Sequence, residues 1–139
     1  MTEILFVCTG NTCRSPMAEG ITNALAARTG LAVIARSAGI AAFEGCAATE
    51  EAETAAAEHG ADISSHRSRR LTAEMCRSAD RIVVMTAAHR DAILRAVDIP
   101  EEKISVLDLP DPYGRGMDAY YTAADRIEEA VEQLLEELK

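Results

Sequence analysis

The chain opens with a continuous apolar run, Ile4-Leu5-Phe6-Val7 behind Glu3, that ends on Cys8. A run without alternation fits a strand buried on both faces. Beyond Ser15 the period changes: Met17, Ile21 and Leu25, with Ala18 and Ala24 beside them, recur at helical spacing, and Thr29-Gly30 closes the segment. Ser15 has N-cap chemistry and Pro16 suits the first helical position, so this helix is predicted to start there. Further strands are predicted over 32–37, 81–86 and 103–109, and further helices over 49–59, 87–97 and 119–138. The last of these carries Ile127, Val131, Leu134, Leu135 and Leu138 as an apolar stripe on an acidic helix. Residues 111–118, DPYGRGMD, are turn formers and read as a loop.

Strand and helix alternate along the whole length, which predicts an α/β fold with a parallel sheet and helices on both faces. No linker, repeat or low-complexity stretch divides residues 1–139, so one domain is expected. In open parallel sheets ligands bind beyond the carboxyl ends of the strands, where the strand order reverses. The stretch after the first strand lies at such an end.

Composition narrows the function. The chain has 139 residues, enough to bury a core without disulfides, and its net charge of −9 argues against nucleic acid or an anionic membrane as partner. The only basic cluster, HRSRR at 66–70, reads as a solvated loop, with a docking patch for an acidic partner as the alternative. The N-terminus has an acid where a signal peptide has a positive region, and its apolar run is far too short to span a membrane. A cytoplasmic protein with reduced thiols is expected. Cys8 and Cys13 are spaced too widely for a zinc knuckle and no second close pair follows, so neither a metal site nor a disulfide framework is expected, and no cofactor is implied.

The joint between first strand and first helix, CTGNTCR at 8–14, has a coherent chemistry. Gly10 and Asn11 tolerate the positive φ that turns successive N–H groups inward as an anion-binding nest. The helix start adds the positive end of its dipole, and the planar fork of Arg14 can hold two phosphoryl oxygens. Thr9, Gly10, Asn11, Thr12, Cys13 and Arg14 thus form a candidate phosphate cradle. Cys8 lies at its base, where the same groups favour a thiolate, and a thiolate beneath a phosphoryl group is an in-line nucleophile. The Ser15 hydroxyl can hold that thiolate. The leaving group needs a proton, and Asp111 on the loop after the fourth strand is the best-placed general acid; Asp108 sits in the apolar run VLDLP and reads as a strand end. A nucleotide-binding P-loop is excluded, because its G-x4-G-K-[ST] pattern is absent. Cys13, in the same tight loop, is close enough in sequence to form a disulfide with Cys8 under oxidation and shelter it.

CTGNTCRSPMAEG, RSAG at 36–39, SSHRSRRLT at 64–72 and DPYG at 111–114 resemble, in order and over nearly the whole chain, the low-molecular-weight protein tyrosine phosphatase family. The resemblance implies a flavodoxin-like open sheet of four parallel strands and a two-step, metal-free mechanism through a phosphocysteine. It implies Cys8 as nucleophile, Arg14 as phosphate ligand and Asp111 as acid and then base toward water. Asn11, Ser37 and His66 match positions whose hydrogen bonds keep the loop in shape. Two features depart from many tyrosine phosphatases of the family: Thr12 replaces an aliphatic residue, and Tyr113-Gly114 replaces two adjacent tyrosines. Both are similar to the bacterial protein arginine phosphatases, where the threonine is implied to select a phosphorylated guanidinium. Phosphorylated proteins are then the expected substrates, with phosphotyrosine as the alternative. The oligomeric state is not fixed, a monomer being the simpler expectation. Thioredoxin-coupled arsenate reductases share the cradle, but need closely spaced resolving cysteines that are missing after Cys76, and a glutamine where this chain has Pro16. A pure phosphate-binding module would leave Cys8 and Asp111 without a purpose.

Overall fold

The computed structural model describes residues 1–139. Four parallel strands form one sheet in the order β2-β1-β3-β4. They are β1 (Thr2–Cys8), β2 (Val33–Gly39), β3 (Arg81–Val84) and β4 (Ile104–Val106). The helices are α1 (Arg14–Thr29), α2 (Glu50–Ala57), α3 (Ala73–Ser78), α4 (Ala87–Ala96) and α5 (Met117–Glu137).

The pleat of β1 sorts the core. Ile4, Phe6 and Cys8 face a cluster with Met17, Ile21, Tyr120, Ile127, Val131 and Leu135, which is built by α1 and α5 together with the alanines of α2. Leu5 and Val7 face the opposite cluster with Ile82, Val84, Ile93, Val97 and the Cys76 of α3. Burial on both faces is what the unbroken apolar run encodes. It also raises the pKa of the Cys76 thiol, through burial, and keeps that sulfur a small hydrophobe. Because β1 pairs with β2 on one side and β3 on the other, the order reverses at β1, and its carboxyl end carries Cys8.

The expected elements are present with differences in extent: β3 ends at Val84 rather than 86, and α5 begins at Met117, inside the stretch 111–118 read as a loop. β4 stops at Val106, before the expected end at 109, because Asp108 turns to φ 56. Sheet-like bonds nevertheless continue from the Leu107 and Leu109 N–H groups to the Val84 and Met85 carbonyls, so the strand end still aims the next loop at β1. β2 runs on through Ala38 and Gly39, where Gly39 stands level with Cys8. The α3 helix was not expected. It has six residues, too few to show a period, and is capped by Thr72, whose hydroxyl accepts from the Met75 N–H. HRSRR departs from the solvated-loop expectation: Arg67 and Arg70 are exposed, but Ser68 is buried and Gly39 bridges to Arg70 as a further sheet-like contact.

Gly39 is required for a steric reason. A Cβ there would lie 2.6 Å from the Thr9 carbonyl oxygen and 2.9 Å from the Asn11 nitrogen, both backbone atoms of the loop after β1. Gly39→Ala is therefore expected to lower unfolding free energy by about 1–3 kcal/mol in denaturant titration, as overpacking does. Gly10→Ala, whose new Cβ would meet nothing nearer than Thr12 Oγ1 at 3.7 Å, should stay within about 0.5 kcal/mol of the native protein.

Candidate active site

The loop from Cys8 to Arg14 passes from β1 into α1 and gathers its supports from every neighbouring segment. Cys8 is 3 % exposed, and its Sγ lies 2.8 Å from Ser15 Oγ and accepts the Asn11 backbone N–H at 3.2 Å. Ser15 Oγ itself accepts from Asn11 Nδ2 at 2.8 Å, which directs the serine hydrogen toward the sulfur. Two donors therefore converge on Cys8, the arrangement that stabilises a thiolate.

This geometry corrects the expected helix start. The α1 helix begins at Arg14 with Cys13 at the N-cap position, and no side chain caps it. Ser15 sits inside the first turn and gives its hydroxyl to the sulfur instead, while Pro16 follows within the same turn, where its missing N–H costs nothing. The consequence is favourable for anion binding, because the uncapped first turn leaves its N–H groups toward the loop. The nest needs only one unusual residue. Asn11 has φ 58, whereas Gly10 is not at positive φ, contrary to the expectation for that pair.

Asn11 is fully buried and every polar atom of its side chain is used. Nδ2 donates to Ser15 Oγ and, at 3.0 Å, to Ser37 Oγ; Oδ1 accepts the Arg69 N–H at 3.0 Å. Its carbonyl accepts from His66 Nε2 at 2.7 Å. Ser37 passes its own hydrogen to Glu19, and Arg69 Nε donates to the Ser37 carbonyl. Ser37 and His66 therefore bond to Asn11, as the resemblance implied, and Glu19 and Arg69 join them unforeseen.

Arg14 is 5 % exposed; Nη1 donates to the Leu109 carbonyl at 2.8 Å, and Nη2 lies 4.0 Å from Asp111 Oδ2. That carbonyl belongs to the segment leading to Asp111, so one bond fixes the Arg14 guanidinium relative to the Asp111 loop. Asp111 is half exposed and its Oδ1 accepts the Tyr113 N–H at 3.0 Å, a local turn that leaves Oδ2 facing the arginine. Tyr113 and Phe43 stand exposed. Thr12 is half-buried; its carbonyl accepts the Thr49 N–H, and its hydroxyl has only the Cys13 sulfur, 3.8 Å away, as neighbour. Cys13 turns toward α5, with Sγ 3.3 Å from the Tyr120 hydroxyl, which also receives a bond from Thr49. Burial first, and then the Cys13 sulfur, raise the pKa of that phenol, so Tyr120 stays neutral and pins the loop to α5.

His89 was missed altogether. It is 7 % exposed, on α4, and its Nε2 lies 2.9 Å from Thr9 Oγ1. Burial, and then the Arg14 cation, depress its pKa, while Asp111 opposes them. Nothing in the sequence links residues 9 and 89. A cleft of about 560 Å³ does not open over Cys8; it lies behind the loop, among Glu19, Asn23, Ile63, His66 and Arg69. A cradle for one phosphoryl group is shallow, so cleft size does not locate this chemistry. No group of residues with metal-binding geometry is present, and no helix is long and apolar enough to cross a membrane.

Comparison with known proteins places this arrangement. The profile of the low molecular weight phosphotyrosine protein phosphatases matches residues 3–139. A protein-arginine-phosphatase of Bacillus subtilis (strain 168) is 39 % identical, the match covering 99 % of this chain and 97 % of that protein. Among solved structures, a low molecular weight protein tyrosine phosphatase from T. tengcongensis superposes with a TM-score of 0.94 at 37 % identity, covering 99 % of both chains. A cysteine-to-serine mutant of YwlE arginine phosphatase, with its active-site serine phosphorylated, superposes with a TM-score of 0.93 at 38 % identity, covering 99 % of this chain and 95 % of that one. The chain is thus a member of the low molecular weight phosphotyrosine protein phosphatase family.

Proposed function

We propose that this protein is a cysteine-dependent protein phosphatase that hydrolyses phosphoarginine on protein substrates, with residues 1–139 acting as one phosphatase domain. The observation that carries the reading is the convergence of the Ser15 hydroxyl and the Asn11 N–H on Cys8 Sγ, directly below a loop closed by Arg14. The phosphoryl group binds to the loop N–H groups and to the guanidinium of Arg14, which neutralises its charge. Cys8 thiolate attacks phosphorus in line, and the bond from phosphorus to the guanidinium nitrogen breaks as Asp111 delivers its proton to that nitrogen. Asp111, now a carboxylate, takes a proton from water; the water oxygen attacks phosphorus, the S–P bond breaks and phosphate leaves. Ser15 donates to the departing sulfur as it regains its charge. The phosphorylated active-site serine in the YwlE mutant supports a covalent route at the equivalent position.

Thr12 supports arginine as the substrate. Its hydroxyl has no strong partner within the protein and can accept from a guanidinium N–H, while Asp111, carrying the proton for the first step, stands beside Arg14 to give it to the same group. Relatives named for arginine phosphatase activity and others named for tyrosine phosphatase activity stand at similar identity, so the arginine reading rests on Thr12 rather than on overall identity. The four free thiols favour the cytoplasm as the place of action.

Paired turnover of phosphoarginine and phosphotyrosine peptides by the purified protein tests this assignment, with phosphoarginine expected to be preferred. Thr12→Ile removes the acceptor and adds an apolar surface, so the ratio of kcat/KM values should move roughly tenfold or more toward phosphotyrosine, as a lost charge-assisted bond requires. A native preference for phosphotyrosine would leave a tyrosine phosphatase in its place. For Asp111→Asn, the rate loss should be at least about tenfold greater on phosphoarginine or an alkyl phosphate than on p-nitrophenyl phosphate, whose leaving group hardly needs a proton. Equal losses would reduce Asp111 to a binding role.

A further inference from the structure

Thr9 follows the nucleophile directly and is pinned from two sides. Its carbonyl accepts the Ala41 N–H at 2.9 Å, which ties its backbone to the segment after β2. Its hydroxyl meets His89 Nε2 at 2.9 Å, which ties its side chain to α4. The position of His89 is itself fixed, because Thr86 caps α4 by accepting the His89 backbone N–H at 3.3 Å. Thr9 is exposed at the rim of the cradle while the imidazole behind it is 7 % exposed.

The second nitrogen of that ring, Nδ1, is buried with no hydrogen-bond partner. A neutral imidazole has one N–H and one bare nitrogen. Buried N–H groups without partners are rarer in proteins than under-satisfied acceptors. The proton therefore belongs on Nε2, which donates it to Thr9 Oγ1. The Thr9 hydroxyl hydrogen is then left over for an acceptor at the mouth. Burial and the nearby Arg14 cation keep the ring neutral, so it supplies a hydrogen bond without adding a second cation to the site.

We infer that His89 is a positioning residue for phosphate binding: its Nε2–H orients the Thr9 hydroxyl so that this hydroxyl donates to the phosphoryl group held over Cys8. The inference rests on the reading of the Cys8–Arg14 loop as a phosphate cradle. It adds to that cradle a side-chain donor whose direction is set from the far side of the sheet's end.

The test uses the full chain, with inorganic phosphate titrated by calorimetry or NMR and p-nitrophenyl phosphate turned over at steady state. His89→Gln places an amide nitrogen where Nε2 stands, and His89→Asn places one nearer Nδ1. The glutamine variant should keep the phosphate Kd and the KM within about twofold of wild type, whereas His89→Asn, His89→Ala and Thr9→Val should each weaken both by about fivefold or more, the scale of one neutral hydrogen bond. Combining His89→Ala with Thr9→Val should cost no more than either alone, since both remove the same bond. Thr9 is exposed, so its variant reports on the bond even if the His89 variants unfold. Unchanged phosphate affinity in folded Thr9→Val, or equal behaviour of the glutamine and asparagine variants, would overturn the inference. A wild type that binds no phosphate at all would remove the cradle and the inference with it. One that binds phosphate but spares phosphoarginine would sink only the substrate assignment.

Discussion

The site depends on holding Asn11 in a left-handed conformation. For a residue with a side chain that conformation costs roughly 1–2 kcal/mol, and asparagine is among the few residues that visit it routinely. Glycine would adopt it without strain but would forfeit the three side-chain bonds that reach Ser15, Ser37 and the Arg69 N–H. Those bonds, with the one from His66 to its carbonyl, each return on the order of 0.5–1.5 kcal/mol and more than offset the strain. The same conformation turns the Asn11 N–H onto the Cys8 sulfur, and the same amide group directs the Ser15 hydroxyl there. The strain, the donors aimed at Cys8 Sγ and the shape of the loop are consequences of one residue's geometry.

The surroundings extend this constraint outward. Gly39 lets β2 pass beneath the loop without a clash, and HRSRR contributes His66 and the Arg69 backbone N–H, so a basic stretch that resembles a solvent-facing patch is the underside of the cradle. Tyr120 reaches Cys13 from α5, and Leu109 receives Arg14 from the acid loop. Each contact joins a different element to seven consecutive residues. Substitutions far from Cys8 in sequence are therefore expected to act on catalysis through the shape of the loop.

How much of this was legible in the sequence follows from how local each feature is. The candidate cradle was legible because Cys8, the nest and Arg14 are contiguous, and the sheet because an unbroken apolar run at 4–7 and alternating elements leave few topologies. The placing of Asp111 beside Arg14 was legible, since the loop after the last strand must return to the same sheet edge. Ser15 was read both as a cap and as a partner of Cys8, two calls on one hydroxyl, and only the fold decides that the sulfur receives it. Gly10 misled: a glycine in a loop suggests positive φ, yet only Asn11 adopts it. Glu19, Arg69, His89 and Tyr120 left no signal, because their partners lie on other elements and no periodicity records such pairings.

The central claim is that Cys8 carries the phosphoryl group between two chemical steps, and the direct measurement is to catch it there. Native protein turning over phosphoarginine peptide is quenched rapidly in acid, digested, and searched by mass spectrometry for phosphate on the peptide containing Cys8. The account predicts phosphate on Cys8 and on no other residue, and none in Cys8→Ala. Undiminished turnover by Cys8→Ala, or phosphate trapped on a different side chain, would contradict it.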